Sequence, residues 1–206
     1  MLIHVPVTPE MLQRADEMAE AVGHLSESET NGMYKSMGAI AELACVQYLN
    51  AELVNDIDYD LLYRGKKIDV KSVKTHVVPN YTHNGNVFAN NTVQAADYYL
   101  FTRVMYRNDK PSAVYLMAYM RPQGYYKKAN LIRAGTISGG FHARFDMYSL
   151  EYRRMLDPNR MLRPDWPEID SMQKLLTEAR DTARVLVNTE PSEARDNAVN
   201  TVKTWT

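Results

Sequence analysis

Two acidic residues and a lysine lie close together in one short stretch of this chain. Asp60 precedes the turn sequence Arg64-Gly65-Lys66, and Asp69 and Lys71 follow it. Strand-forming residues on both sides of the turn predict a β-hairpin. Because side chains alternate along a strand, Asp69 and Lys71 share one face of the second strand, and the aliphatic residues beside them take the other.

The length of the loop decides whether Asp60 joins this pair. If Arg64-Gly65 is a two-residue loop, Asp60 lies opposite Asp69, and if Gly65-Lys66 is the loop, Asp60 lies opposite Lys71. Directly opposed residues share a face, so either register brings the three charged side chains together. A three-residue loop would pair Asp60 with Val70 and break the cluster unless a bulge intervened.

This cluster predicts a metal-dependent hydrolase of phosphodiesters. Adjacent carboxylates repel each other, and a hard divalent cation such as Mg²⁺, which keeps several waters and takes few carboxylates, removes that repulsion. A neighbouring lysine can orient or deprotonate a water, or neutralise charge in the transition state. The alternative is a solvated surface hairpin without chemistry, since Asp-x-Lys is common by itself. The aliphatic flanks favour a hairpin in the core.

Glu42 is a second candidate. On a helix its neighbours at positions i−4, i+3, i+4 and i+7 are small or apolar, namely Gly38, Cys45, Val46 and Leu49. A carboxylate on such a face needs a partner, which the hairpin acids and a metal would provide. The alternative is a glutamate at the border of the helix that reaches solvent or a lysine.

Composition excludes a disulfide-stabilised protein, and the distribution of charge favours one that binds a polyanion. The 206 residues include a single cysteine, Cys45, so a disulfide framework is excluded and a reducing compartment is expected. We see no membrane span and no secretory signal. Residues 1–61 carry a net charge of −9, residues 62–163 of +11 and residues 164–206 of −3. The basic middle segment suggests a polyanionic partner, unless the acidic ends neutralise it.

The periodicity of the sequence predicts a mixed α/β chain. We expect an edge strand over 2–7, a helix from Pro9 to about Val22 capped by Thr8 and ended by Gly23, and a helix over about 33–50. Strands follow near 57–63, 67–75, 97–106 and 113–120, with a weaker one near 130–137. A long loop is expected over 79–94, and irregular basic chain over 139–165. A last helix runs from Glu168 to about Val187, with a mobile tail after it. The division is thus a domain over 1–165 and an appended helix and tail over 166–206.

The ordered motifs resemble those of the PD-(D/E)xK, or restriction-endonuclease-like, nuclease superfamily, in particular bacteriophage or bacterial members. The resemblance covers about residues 31–137. It rests on Gly38-Ala39-Ile40-Ala41-Glu42, Tyr59-Asp60-Leu61-Leu62, Gly65 and Ile68-Asp69-Val70-Lys71, and extends to Ala96–Phe101 and loosely to Val114–Met120. The sequence departs from the motif of the superfamily in one respect, because no proline precedes Asp60.

The resemblance implies a central mixed β-sheet flanked by helices and Mg²⁺-dependent DNA cleavage, with Mn²⁺ as a substitute. Asp60, Asp69 and the backbone carbonyl of Val70 would hold the metal, Glu42 would support it, and Lys71 would position the attacking water. The cytoplasm of a bacterium or of a phage-infected host is the expected location, and a homodimer is one option.

Basic residues outside the cluster are candidates for contacting DNA phosphates. They are Lys67, Lys74, His76, Lys127, Lys128 and Arg133. In the stretch Tyr125-Tyr126-Lys127-Lys128, rings next to charges are typical of nucleic-acid grooves. A solvated hairpin tip is the alternative for that stretch.

Two other functions are compatible with the same residues. One is a DNA-binding or assembly protein that keeps the fold without catalysis, in which case the acids serve structure and bind no Mg²⁺. The other is a junction resolvase or an exonuclease, and a resolvase should be a symmetric dimer. Metal uptake distinguishes the first, and cleavage of branched against linear DNA distinguishes the second.

Overall fold

The computed structural model describes residues 2–21, 35–54, 58–91, 95–138 and 141–189. The chain forms two compact units that divide between Leu162 and Arg163. No helix within these described ranges is long and apolar enough to cross a membrane. The predicted helix end at Gly23 and the C-terminal tail from residue 190 lie outside the described residues.

The first unit is a mixed α/β structure built on a six-stranded sheet. The strands of the whole unit, in chain order, are β1 (Ile3–Pro6), β2 (Glu52–Leu53), β3 (Leu61–Tyr63), β4 (Lys66–Thr75), β5 (Asn84–Phe88), β6 (Tyr98–Arg107), β7 (Lys110–Met120), β8 (Asn130–Ile132), β9 (Ile137–Ser138), β10 (Phe141–His142) and β11 (Met147–Glu151). The large sheet has the order β1-β7-β6-β4-β3-β2. Only β4 and β6 run parallel in it, and the other neighbours are antiparallel. The predicted central mixed sheet is confirmed.

The two predicted N-terminal helices are confirmed as α1 (Pro9–Ala21) and α2 (Lys35–Leu49). Thr8 caps α1, because its Oγ1 accepts the backbone N–H of Met11 at 3.2 Å. The helix α2 packs against β4, β6 and β7, and its residues Ala41, Ala44 and Cys45 are fully buried. The small side chains on this face let the helix lie close to the sheet.

The structure corrects the expectation of long irregular segments over 79–94 and 139–165. The first contains β5 and the second contains β11, and these strands pair antiparallel in a separate sheet of order β5-β11-β8. The sequence of β5, Asn-Gly-Asn-Val-Phe, is poor in strand formers. Its strand conformation depends on pairing with a segment about sixty residues later, and no local pattern records such pairing.

A second correction concerns Tyr125-Tyr126-Lys127-Lys128, which does not form the hairpin tip considered as the alternative. It forms most of the short helix α3 (Pro122–Lys128). Proline at its first position preorganises the helix start. The hydroxyl of Tyr125 is buried, and its one proton is shared between the carbonyl oxygens of Gly85 and Tyr148 at 2.9 and 2.8 Å, so it anchors α3 to the small sheet.

Aromatic packing joins the two sheets. Because a parallel pair requires a long crossover, the chain between β4 and β6 leaves the large sheet and contributes β5 to the small one. The rings of Phe101 and Tyr125 lie 5.2 Å apart between centroids, and Tyr152 lies 6.3 Å from Phe101. Gly85 sits directly against these rings, within a cluster that also includes Tyr99.

The second unit contains α4 (Glu168–Thr189), which confirms the predicted C-terminal helix. At its start the indole Nε1 of Trp166 donates to the Asp170 carboxylate at 3.1 Å. Several apolar side chains of this helix are exposed, namely Met172, Leu175, Leu176 and Val185.

We predict that Gly85→Ala destabilises the first unit by roughly 1–3 kcal/mol, the usual cost of overpacking a core. A Cβ at this position would lie 2.6 Å from Cδ1 of Phe101 and 2.9 Å from Cε1 of Tyr152. Chemical denaturation measures the loss.

Gly124→Ala is the matched control. Its Cβ would meet the Met120 side chain at an ordinary 3.5 Å. In the interior of α3 the change is expected to be neutral or to stabilise by up to about 1 kcal/mol. Equal effects of the two substitutions would contradict the packing described here.

Candidate active site

The hairpin adopts the first of the expected registers. Tyr63 pairs with Lys66 and Leu61 with Ile68, so Arg64-Gly65 is a two-residue loop. Both loop residues have positive φ, +48° and +70°, as a type I′ turn requires. This turn fixes the face on which each following side chain lies.

Asp60 is held in place at the end of β3 by the opposite strand. Its backbone N–H donates to the carbonyl of Ile68 at 3.0 Å, and its carboxylate Oδ2 accepts the N–H of Val70 at 2.6 Å. The carboxylate therefore points toward the segment of β4 that carries Asp69. The role predicted for Val70 from the sequence, a backbone carbonyl ligand for a metal, stays a prediction.

Asp69 and Lys71 form a buried ion pair on one face of β4. Lys71 Nζ lies 2.7 Å from Asp69 Oδ2, and the side chains are 14% and 5% exposed. The same ammonium lies 5.3 Å from the ring centroid of Tyr99. A buried ion pair gains little net stability, because desolvation offsets the attraction between the charges.

Glu42 approaches this pair from α2. Burial, and after it the negative charge of Asp69, together raise the pKa of its carboxyl from 4.5 to about 7. Glu42 is thus no solvated residue at the border of the helix. It lies within electrostatic reach of the hairpin acids, as the sequence predicted.

The two hairpin acids are perturbed in the same direction. Burial raises the pKa of Asp60 well above its usual range, with Glu42 and Asp69 adding to the effect. Burial also raises the pKa of Asp69, while Lys71 opposes the change. Three carboxyl groups, that of Asp69 buried and those of Glu42 and Asp60 partly buried, therefore lie within electrostatic reach of one another beside Lys71.

The chemistry of these donors suits a hard divalent cation. Carboxylate oxygens are the ligands that Mg²⁺ prefers, and a cation would relieve the repulsion that raises the three pKa values. The described part of the chain holds no group of three or more His, Cys, Asp or Glu side chains already arranged as a metal site. In the present arrangement one oxygen of Asp60 is bonded to Val70 and one of Asp69 to Lys71.

Among the residues predicted to contact DNA, Lys67 lies on the same face of β4 as Asp69. Its Nζ lies 4.9 Å from the ring centroid of Tyr59. Lys127 and Lys128 are exposed in the last turn of α3. Arg133 is exposed and pairs with Asp146 at 2.6 Å.

Lys74 and His76 are placed differently. Lys74 is an odd number of residues from Asp69, so its side chain leaves the opposite face of β4. Its Nζ lies 4.3 Å from the ring centroid of Tyr106, and the His76 ring packs against the same tyrosine. These two residues form a group apart from the acids.

Two tyrosines that the sequence analysis did not assign to the site lie next to it. Tyr99 on β6 is the register partner of Asp69 on β4. Its hydroxyl lies 3.0 Å from that of Tyr126 on α3. Asp69 contributes to raising the pKa of both hydroxyls. The only sequence signal was the aromatic character of both segments, which does not reveal that they meet.

Comparison with models of known protein families gives no match. No curated protein matches the sequence significantly either. The residues of the site and their geometry therefore carry the functional argument.

We predict that the metal-free protein loses stability as pH rises from about 4.5 to about 7. In this window the folded state keeps a proton on Glu42 that the unfolded state has released, so the free energy of unfolding falls. Glu42→Gln removes the part of this dependence that Glu42 contributes, and the raised pKa values of Asp60 and Asp69 leave a remainder of the same sign. The substitution should stabilise the protein by on the order of 2 kcal/mol at about pH 8 and change little at about pH 4.

Denaturant titrations of both proteins across this pH range, in the presence of a chelator, measure the difference. Glu52→Gln on the exposed start of β2 serves as the control and should leave the profile unchanged. Parallel pH profiles for wild type and Glu42→Gln would remove Glu42 from the cluster.

Proposed function

We propose that this protein is a metal-dependent DNA endonuclease with a restriction-endonuclease-like core. One observation carries the proposal: Glu42, Asp60 and Asp69 come together from a helix and a hairpin, and their pKa values are raised together beside Lys71. Perturbed titratable groups clustered in this way are typical of functional sites. A purely structural core gains nothing from three carboxyl groups there.

Asp60, Asp69 and Glu42, with the carbonyl of Val70, would hold Mg²⁺, and Mn²⁺ would substitute for it. The cation would supply Lewis-acid charge at the phosphate and lower the pKa of water. Its positive charge would also return the three carboxyl groups to their ionised form at neutral pH.

The reaction is the addition of water across a phosphodiester. A new P–O bond forms from the water oxygen, the bond from phosphorus to the leaving sugar oxygen breaks, and that oxygen receives a proton. Lys71, held 2.7 Å from Asp69, presents an ammonium to the incoming water or to the negative charge of the phosphate. The Asp60 carboxylate, fixed by the Val70 N–H, keeps one oxygen for the site.

Exposed basic side chains next to the site support nucleic acid as the substrate class. Lys67 follows the hairpin turn, and Lys127 and Lys128 follow Tyr126. The net charge of +11 over residues 62–163 is concentrated in the segment that contains β4, β6 and α3. Such a charge attracts a polyanion over several ångströms.

The second candidate function is DNA binding or assembly without catalysis. The observation that favours it is the Asp69–Lys71 ion pair, which satisfies one of the acids without a metal.

Nicking of supercoiled plasmid with Mg²⁺, with Mn²⁺ and with chelator separates the two candidates. Cleavage that needs the cation supports the nuclease. DNA binding without cleavage in any metal supports the alternative. Branched and linear duplexes compared in the same assay identify a resolvase or an exonuclease.

We predict that Asp69→Asn and Lys71→Met each reduce cleavage at least about 100-fold, because each removes a charge that acts on the reacting phosphate. Removing one member of a buried ion pair also destabilises the protein. The double variant Asp69→Asn/Lys71→Met removes both charges, so it should melt closer to wild type and remain inactive.

Asp146→Asn is the control for the loss of an acid. Asp146 is paired with Arg133 in an exposed position, and its substitution should leave cleavage unchanged. A double variant that is folded and cuts at the wild-type rate would refute the assignment of the hairpin.

We predict that Lys127→Ala/Lys128→Ala lowers the slope of log affinity against log salt by about 1–2, since each phosphate contact contributes roughly 0.9. Fluorescence anisotropy with a short duplex in chelator measures the slope. Lys110→Ala is the control, because Lys110 lies at the far end of β6 and β7 from Tyr99. Identical slopes for all three proteins would place DNA elsewhere on the surface.

A further inference from the structure

The paired hydroxyls of Tyr99 and Tyr126 have no part in the chemistry proposed above. They lie 3.0 Å apart, one on β6 in register with Asp69 and the other on α3. Tyr99 also packs under the Lys71 ammonium. The pair is therefore continuous with the Asp69–Lys71 ion pair.

The hydrogen bond between two hydroxyls uses only one of their two protons. Tyr99 is fully buried, whereas Tyr126 is partly exposed. Either hydroxyl can donate this bond, and when the buried Tyr99 donates, the unused proton is the one on the partly exposed Tyr126. In this arrangement the proton of Tyr126 is directed to a third group.

The position of Tyr126 is fixed from several sides. Its ring makes edge contacts with Tyr99, Tyr125 and Tyr148 at centroid distances of 6.2, 5.5 and 4.9 Å. Tyr125 in turn is anchored by two hydrogen bonds to backbone carbonyls. A preorganised donor loses little entropy on binding a ligand, which makes its hydrogen bond more favourable.

The third group should be an anion. Burial and the charge of Asp69 both disfavour a tyrosinate, so Tyr126 remains a neutral donor throughout the physiological range. The next two residues along the chain are the exposed Lys127 and Lys128. Their ammonium groups add positive charge at this end of α3, which favours an anionic acceptor over a neutral one.

We propose that Tyr126 is a substrate-contacting residue whose hydroxyl donates a hydrogen bond to a backbone phosphate of the bound DNA, and that Tyr99 is the positioning residue that orients it. This inference rests on the proposed function, because it requires a phosphodiester at the Asp69–Lys71 site.

The test compares Tyr126→Phe with wild type on a defined duplex whose cleavage position has first been mapped. A hydrogen bond to a charged acceptor predicts a rise in KM of about 10-fold or more for the variant, with kcat nearly unchanged. Tyr99→Phe should raise KM by a smaller factor. Tyr115→Phe, on β7 beside His4, is the matched control and should have wild-type constants.

A second measurement separates phosphate binding from a structural role. Single methylphosphonates, which remove the charge of one phosphate, are introduced in turn around the cleavage position. At one particular phosphate the methylphosphonate should raise the KM of wild type by about the same factor as Tyr126→Phe does on unmodified DNA. The KM of Tyr126→Phe should not rise further when that phosphate is replaced. A merely structural tyrosine gives equal losses in both proteins at every phosphate.

The outcomes distinguish this inference from the proposed function. If wild type cuts DNA and Tyr126→Phe shows unchanged KM, or shows losses that simply add to those of every methylphosphonate, the inference is wrong and the nuclease stands. If wild type neither cuts nor binds DNA with Mg²⁺, the proposed function is wrong and the inference falls with it. Melting temperatures of the variants confirm that each is folded.

Discussion

The clustering of three carboxyl groups, one buried and two partly buried, beside one lysine is the constraint on which the rest of this structure depends. Glu42, Asp60 and Asp69 all have raised pKa values, for which burial is the leading cause. Such an arrangement opposes folding at neutral pH, so the surrounding structure has to hold it in place. The type I′ turn, the Val70 N–H on Asp60 and the packing of α2 each fix one of the acids.

The parallel pairing of β4 with β6 is the second determinant of the site. It places Tyr99 opposite Asp69 and Phe101 opposite Lys71, so a ring lies beside each charge. It also forces the intervening chain out of the large sheet. That chain returns as β5, and its pairing with β11 builds the aromatic layer on which α3 rests.

Hydrogen bonds between Asp97 and the backbone of Lys67 hold the starts of β4 and β6 together. The carboxylate of Asp97 accepts the backbone N–H of Lys67 at 2.9 Å, and its own N–H donates to the Lys67 carbonyl at 2.8 Å. Asp97 is thus an acid close in sequence to the site with a structural task. Its contrast with Asp69 shows how surroundings assign roles to identical side chains: Asp97 is exposed and bonded to backbone, and Asp69 is buried beside other carboxyl groups.

The sequence alone determined the local features of this protein. Strand-forming residues around Arg64-Gly65 specified the hairpin, alternation placed Asp69 and Lys71 on one face, and the apolar neighbours of Glu42 identified a carboxyl group that needs a partner. Only the tertiary structure decided between the two hairpin registers and revealed β5 within an expected loop. Only the fold brought Tyr126 to Tyr99, across 27 residues, because α3 is anchored by Tyr125 to the carbonyls of two strands that are distant in sequence. Turns and alternation follow from interactions between near neighbours, whereas these last arrangements depend on contacts between remote segments, which no single stretch of the sequence contains.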